Sequence, residues 1–517
     1  MNNTFFYFLK SQPTLILRDV ITSIQANHFS EIPNNRIKII FIPTSIFSFL
    51  SIKKTSNDLF NLFENYSILN DTSIEVVIES NVIEIQIYKL HIFRCFFYFI
   101  NGSLNSFLLF VKYFIFNLNI SSFLKSSFRK VNFGDIAASS VFSQNKLFNL
   151  EKNLELIKES FRIIFLIQVL FNMGNRNKEK NCFFSILDFT YQEALLLRIL
   201  PIFNFKFVET QDYKNEIVII DNPSKNHLPW IARPKNNCIN IDLFNKYYTS
   251  RLFTPEEALD YMWMGSNNNM NSSILLDNGD VYTCTKDSQN VVLFLHAFSD
   301  AAYCYDLDGF KDLMEWTTTT IDILINNALI QKILIKPHPN ISFDNYPADQ
   351  GAMFFLKQKY SSDPKVVFLD KYASLIALCK LDCIIGITRH GSVAEEMTFL
   401  NKPVIAYKHG PWEHYHRFLI SWDNRSNYEN LLSNLNYELI YRVPLENKNH
   451  LINYFLEYRN NSRNVSREWY GVLFQLCSKD LYIGNFENIK KFDNLILTKK
   501  INYILEFLIN KRALNLN

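Results

Sequence analysis

Three short polar stretches carry the residues best suited to chemistry. Lys336-Pro337-His338-Pro339 sets an imidazole between two prolines, which fix φ and hold the ring in place. Thr388-Arg389-His390-Gly391-Ser392 brings a cation, an imidazole and a glycine to one turn. Ser392 and Glu395 have capping-box spacing, so a helix is predicted from Ser392 through Leu400. Gly391 lets the backbone turn sharply and lets a ligand come close. A helix N-terminus offers unpaired N–H groups and the positive end of its dipole, which suits a phosphate. His296 and Asp300 form the third group, in LHAFSD. An imidazole titrating near neutrality can position a substrate or move a proton.

The elements that must position these residues read as a parallel sheet. Apolar β-branched runs at 332–335, 366–369 and 383–387 each end in polar or turn residues, and a fourth at 403–407 follows a helical stretch. Loops at the strand ends are where such sheets bind ligands. His338 and the 389–392 turn therefore converge on one anion, with Lys336 beside them. Each residue also has a plainer reading: His338 bonded to backbone, Lys336 solvated, Ser392 and Glu395 as cap partners, Asp300 stabilising a turn. His409, His414 and His416 crowd one loop, but their spacing matches no common zinc ligand set.

In order, KPHP, a strand, HGSVAEE, a helix and NKPVIAY resemble the nucleotide-binding half of bacterial capsule and surface-polysaccharide glycosyltransferases. That family includes the β-Kdo transferases, and its HP and Ser/Thr motifs are similar to those of bacterial sialyltransferases. LFLHAFSDAAYCYDLDGFKDLMEW upstream resembles it too, so the match spans about residues 291–412. The resemblance implies an α/β, GT-B fold: two Rossmann-like domains facing a cleft, with C-terminal helices. It implies a nucleotide-sugar donor, CMP-activated acidic sugars being favoured and UDP-sugars open, with a glycan or lipid-linked glycan as acceptor. It also implies metal-independent inverting transfer without a cofactor. Donor phosphate contacts fall to Lys336, His338, Arg389, His390, Gly391, Ser392 and Glu396, the last at the family's acidic position. Inversion needs a base. Asp135, in a Gly-Asp segment similar to one in some family members, and Asp188 are the candidates from the first domain, with His296 and Asp300 across from them. A CDP-polyol phosphotransferase of teichoic-acid type and a non-catalytic envelope-assembly scaffold remain open.

Composition sets the bounds. With 517 residues, two or three domains and a large core are expected. A net charge of +3 supplies no global field that calls for nucleic acid. The 47 Phe against 12 Gly reflect compositional bias, which weakens arguments from scattered aromatics. There are 8 Cys and no Cys-x-x-Cys pair, so buried free thiols in a reducing compartment are expected. The first residues lack a basic leader and a small-residue cleavage site, which reads as cytoplasmic. The most apolar region, 92–124, is broken by Arg94, Asn101, Lys112 and Asn117. It reads first as a buried helix pair, and second as an interfacial, peripheral contact with the inner membrane.

Along the chain, strands are predicted at 36–43, 73–79 and 82–88, a helix at 153–171, a polar turn at 175–181 and a strand at 183–187. Thr190 and Glu193 cap a helix through Leu200, ended by Pro201, with strands at 202–208 and 217–220. Domains are placed at 1–250, 251–430 and 431–517. Thr254 caps a helix, 265–273 is an exposed loop, and a strand at 291–295 opens the second Rossmann-like unit. Its helix carries Leu313, Met314, Ile321, Leu324 and Ala328 on one face. After Phe418 only helices are predicted, at 428–439, 450–458 and 489–508.

Overall fold

The computed structural model describes residues 3–9, 36–45, 67–70, 73–78, 81–178, 181–185, 191–211, 216–220, 289–338 and 347–435, plus Asp19 and Ser23, with short gaps inside these spans. Asp188, Ser392, Thr190, Cys383, His414, His416 and the features predicted within 221–288 and after 435 lie outside the described residues.

The chain is α/β. The first unit runs β1 (Asn3–Phe8), β2 (Arg36–Ile42), β3 (Ser67–Asn70), β4 (Ser73–Ile78) and β5 (Asn81–Ile87), then helix α1 (Ile92–Phe110). A small hairpin, β6 (Ser127–Phe128) and β7 (Val131–Asn132), leads to α2 (Gly134–Asn145) and α3 (Leu154–Asn177). β8 (Cys182–Phe184), α4 (Ala194–Ile199), β9 (Lys206–Gln211) and β10 (Glu216–Ile220) complete it. The sheet order is β10-β9-β8-β1-β2-β5-β4-β3. Its centre, β9 to β5, is parallel and its edges are antiparallel. Phe5 and Phe6 on β1 are both fully buried, as expected of a central strand covered on both faces.

The second unit alternates strand and helix: β11 (Gln289–Phe294), α5 (Leu313–Asn326), β12 (Ile330–Lys336), α6 (Pro347–Tyr360), β13 (Val366–Phe368), α7 (Leu375–Cys379), β14 (Ile384–Ile387), α8 (Val393–Phe399), β15 (Val404–Tyr407), β16 (Ile420–Trp422) and α9 (Arg425–Ser433). All its strands are parallel, in the order β13-β12-β11-β14-β15-β16. The chain winds outward from β11 one way, then crosses to β14 and winds the other way. The switch point of the fold is therefore the β11/β14 crevice. The units touch directly: Leu150 N–H donates to Asp312 Oδ2 at 2.6 Å, and Phe142 packs edge-on to Tyr303 with ring centroids 5.7 Å apart.

Several sequence expectations give way. Helix α3 continues through Asn177 into the predicted polar turn, because Met173 and Asn177 are buried there and Asn177 Nδ2 donates to the Met173 carbonyl. The strand predicted from Ile202 starts only at Lys206; residues 200–203 form a 3₁₀ turn that closes on Asn204 in the left-handed region, φ 60°. Ala328 falls beyond the end of α5. A strand, β16, stands where only helix was predicted, because Trp422 packs on Tyr407 and Tyr428 at 4.7 and 4.5 Å between centroids. The largest reversal is α1. It is not buried: Phe93, Phe96, Phe107 and Leu108 are each at least 60% exposed.

Candidate functional site

His296 follows β11, Lys336 and His338 end β12, and residues 388–391 end β14, so three adjacent strands deliver the expected histidines to one edge of the sheet at its switch point. The link between them is His296. Its Nε2 accepts the main-chain N–H groups of Arg389 and His390, both at 3.2 Å, and lies 3.2 Å from Thr388 Oγ1. A nitrogen that accepts amide protons must hold a lone pair, so the ring proton sits on Nδ1. Burial, with His338 and then Arg389 adding to it, holds this imidazole down at about 3. The expectation of a histidine titrating near neutrality is thus corrected: His296 is a neutral staple for the β14 turn.

His390 stacks on His296, ring centroids 4.1 Å apart at 25°, and meets Tyr305 at 4.7 Å. Burial, with His296 next in weight, pushes His390 well below the usual imidazole range. Its Nδ1 is buried and has no hydrogen-bond partner. An unpaired buried polar atom costs ~1–3 kcal/mol. His338 feels the same environment: burial lowers it, Lys336 lowers it further, and Asp300 works against them. Its charge is also felt at both His296 and His390, so the three imidazoles share one neighbourhood.

Lys336 is buried and donates to the Lys371 carbonyl at 3.1 Å. Burial lowers its proton affinity while the charges of Glu396 and Asp370 raise it. Asp300 is exposed and accepts from Tyr191 Oη at 2.8 Å, tying the β11 loop to the first unit.

Other expected contacts go elsewhere. Arg389 is only 4% exposed; its guanidinium pairs with Asp308 and donates to the Ala302 carbonyl at 2.8 Å. Its charge is neutralised inside the protein rather than turned toward a phosphate. The Gly391 N–H donates to Thr388 Oγ1 at 3.2 Å, and the Arg389 and His390 amides are bound to His296, so these three amides are engaged within the protein. Gly391 is needed for closeness instead. A Cβ there would meet Thr388 Oγ1 at 2.9 Å and His296 Cε1 at 3.3 Å. Asp135 is held by Arg198, whose Nη1 donates to Oδ1 at 2.8 Å and whose Nη2 pairs with Oδ2. This joins α2 to α4 and engages both oxygens a base would use.

Asp349 escaped the sequence reading. It is fully buried in the first turn of α6; Oδ1 accepts the Phe298 N–H at 2.6 Å and Oδ2 has no partner. Burial raises its carboxyl to about 6, with the Phe298 bond opposing and Asp300 adding to the rise. Pro347-Ala348-Asp349 reads in sequence as an ordinary helix start, so no signal marked it. Tyr305 was missed likewise, lying in a run of aromatics. Among the described residues no group of three or more His, Cys, Asp or Glu is arranged to hold a metal ion.

No protein-family model and no curated protein sequence matches this chain. Solved structures similar to it include trehalose-6-phosphate proteins. One, from E. coli and bound with UDP-2-fluoro glucose, is 8% identical at TM-score 0.30, covering 92% of this chain and 99% of that one. The α,α-trehalose 6-phosphate synthase of Burkholderia multivorans is also 8% identical at TM-score 0.30, covering 92% and 98%. The UDP-forming α,α-trehalose-phosphate synthase of Burkholderia vietnamiensis is 8% identical at TM-score 0.31, covering 91% and 98%.

Proposed function

We propose that this chain is a glycosyltransferase that moves a sugar from a nucleotide-activated donor onto a surface glycan acceptor in the cytoplasm. The observation that carries the reading is the buried, unpartnered Nδ1 of His390 at the switch point, beside His338 and stacked on His296. A nucleoside phosphate that displaces the groups covering that nitrogen would give it its bond. The ordered resemblance of the KPHP, HGS and NKPVIAY segments to those of capsule and lipopolysaccharide transferases supports the donor class, with CMP-sugars favoured and UDP-sugars as the alternative. Departure of the nucleotide builds charge on its phosphate, and fixed imidazole donors with the Lys336 cation stabilise that charge more in the transition state than in the ground state. The transfer is inverting and metal-independent on the same resemblance, with Glu396 binding a ribose or sugar hydroxyl.

A non-catalytic, nucleotide-binding scaffold is favoured by one observation: the carboxylate expected to act as base, Asp135, is engaged by Arg198. The test has two stages. A thermal-shift screen of CMP, UDP, CDP and GDP finds the nucleotide, since binding to the folded state raises the melting temperature. Hydrolysis or transfer of the matching donor sugar then separates an enzyme from a scaffold. No shift with any of the four removes the nucleotide site.

A further inference from the structure

Helix α1 is built inside out. Phe93, Phe96, Phe97, Leu104, Phe107 and Leu108 recur at helical spacing, and all are 59–76% exposed. At 100° per residue they form one stripe roughly 120° wide. The opposite seam is made of small residues, Cys95, Gly102 and Ser106, all buried. Gly102 lies so close to α3 that a Cβ would meet the Phe161 ring at 3.2 Å, and Asn101 Nδ2 donates to Gln168 Oε1 at 2.8 Å. The polar and small face is thus committed to the protein, and the aromatic face is left to the outside.

Charge says what covers it. Between Glu84 and Asp135 the sequence has no carboxylate. It has Lys89, Arg94, Lys112, Lys125, Arg129 and Lys130, and all six are exposed. Within this segment the apolar stripe is accompanied by cations and no carboxylate, which fits an anionic lipid surface: the aromatic rings enter the acyl boundary and the cations meet the headgroups. A second copy fits poorly, because a two-fold dimer would lay this patch on itself and bring its cations together. By length and composition the helix 92–115 would suffice to cross a bilayer. Its seam against α3 holds it lengthwise on the protein, an orientation suited to lying in the interface plane.

We propose that α1 is a monotopic membrane-docking helix that seats this protein on anionic bilayers. The test is flotation of the full chain with vesicles of phosphatidylcholine alone or with about 30% phosphatidylglycerol, at roughly 0.1 M and 0.5 M salt. The chain should float with the anionic vesicles and be weakened by salt. Phe97→Asn with Phe107→Asn should cost at least about tenfold in partitioning. Lys112→Gln with Lys125→Gln, Arg129→Gln and Lys130→Gln should abolish the preference for anionic lipid, and gives an independent reading if the first pair fails to fold. The proposal is overturned if the wild-type chain stays with the unbound fraction. It is equally overturned if the aromatic variant floats like wild type, or if sedimentation shows a dimer that the aromatic variant disperses. None of these readouts needs turnover, so the outcome is separate from that of the glycosyltransferase reading.

Discussion

The imidazole of His390 lies on that of His296, centroids 4.1 Å apart, and the backbone N–H of His390 donates to the ring beneath it at 3.2 Å. One residue thus both stacks on His296 and is fixed by it. The lower ring sets the β14 turn, and the upper ring holds a buried nitrogen that has no hydrogen-bond partner.

His296 should therefore behave as a stability residue. His296→Ala strands two buried amide donors and opens a cavity, costing ~2–4 kcal/mol in urea unfolding. The pH dependence has a definite sign. The folded-state value of about 3 lies below the ordinary 6.5, so the contribution is full above pH 6.5 and is lost as pH falls toward 3. In that window the slope of stability against pH should be shallower for His296→Gln than for wild type.

Asp349 should show the opposite sign. Its folded-state value of about 6 lies above the ordinary 3.8, so its contribution is present below 3.8 and is lost as pH rises through 6. Asp349→Asn keeps an oxygen for the Phe298 N–H and removes the buried charge. The variant should match wild type at about pH 4 and exceed it by ~1–3 kcal/mol at about pH 8. Equal unfolding curves at both pH values would show that Asp349 carries no such strain.

Breaking the Arg389–Asp308 pair should cost stability rather than affinity. Arg389→Ala leaves Asp308, only 1% exposed, as an uncompensated buried charge, at ~3–5 kcal/mol. If the variant melts like wild type but loses nucleotide binding, the guanidinium reaches the ligand after all.

What the sequence made legible was local. The strands of the second sheet are short β-branched runs bounded by turn residues, and with them came the loops that hold His296, His338 and His390. Roles that depend on distant partners were hidden. Arg389 reads as a free cation until Asp308 and Ala302 fold against it, and Asp135 reads as a free carboxylate until Arg198 arrives from α4. Helix α1 misled for a physical reason: apolar residues imply burial only on average, and here the small residues are the ones packed inside.

His338 and Glu396 should separate turnover from binding. His338→Ala should lower kcat on the order of 10²-fold, ~2.7–4 kcal/mol, with little change in melting temperature. Glu396→Gln should mainly raise KM for the donor. Steady-state kinetics with matched melting curves checks both. Near-normal turnover with a collapsed melting temperature in His338→Ala would make that histidine structural.

The central claim is that His390 binds a nucleoside phosphate, and titration calorimetry of wild type and His390→Ala with CMP, UDP, CDP and GDP tests it most directly. At least one nucleotide should bind wild type and bind the folded variant ~10–100-fold more weakly, the equivalent of one unsatisfied buried polar group. No binding by any of the four to wild type, or equal binding to both proteins, would contradict it.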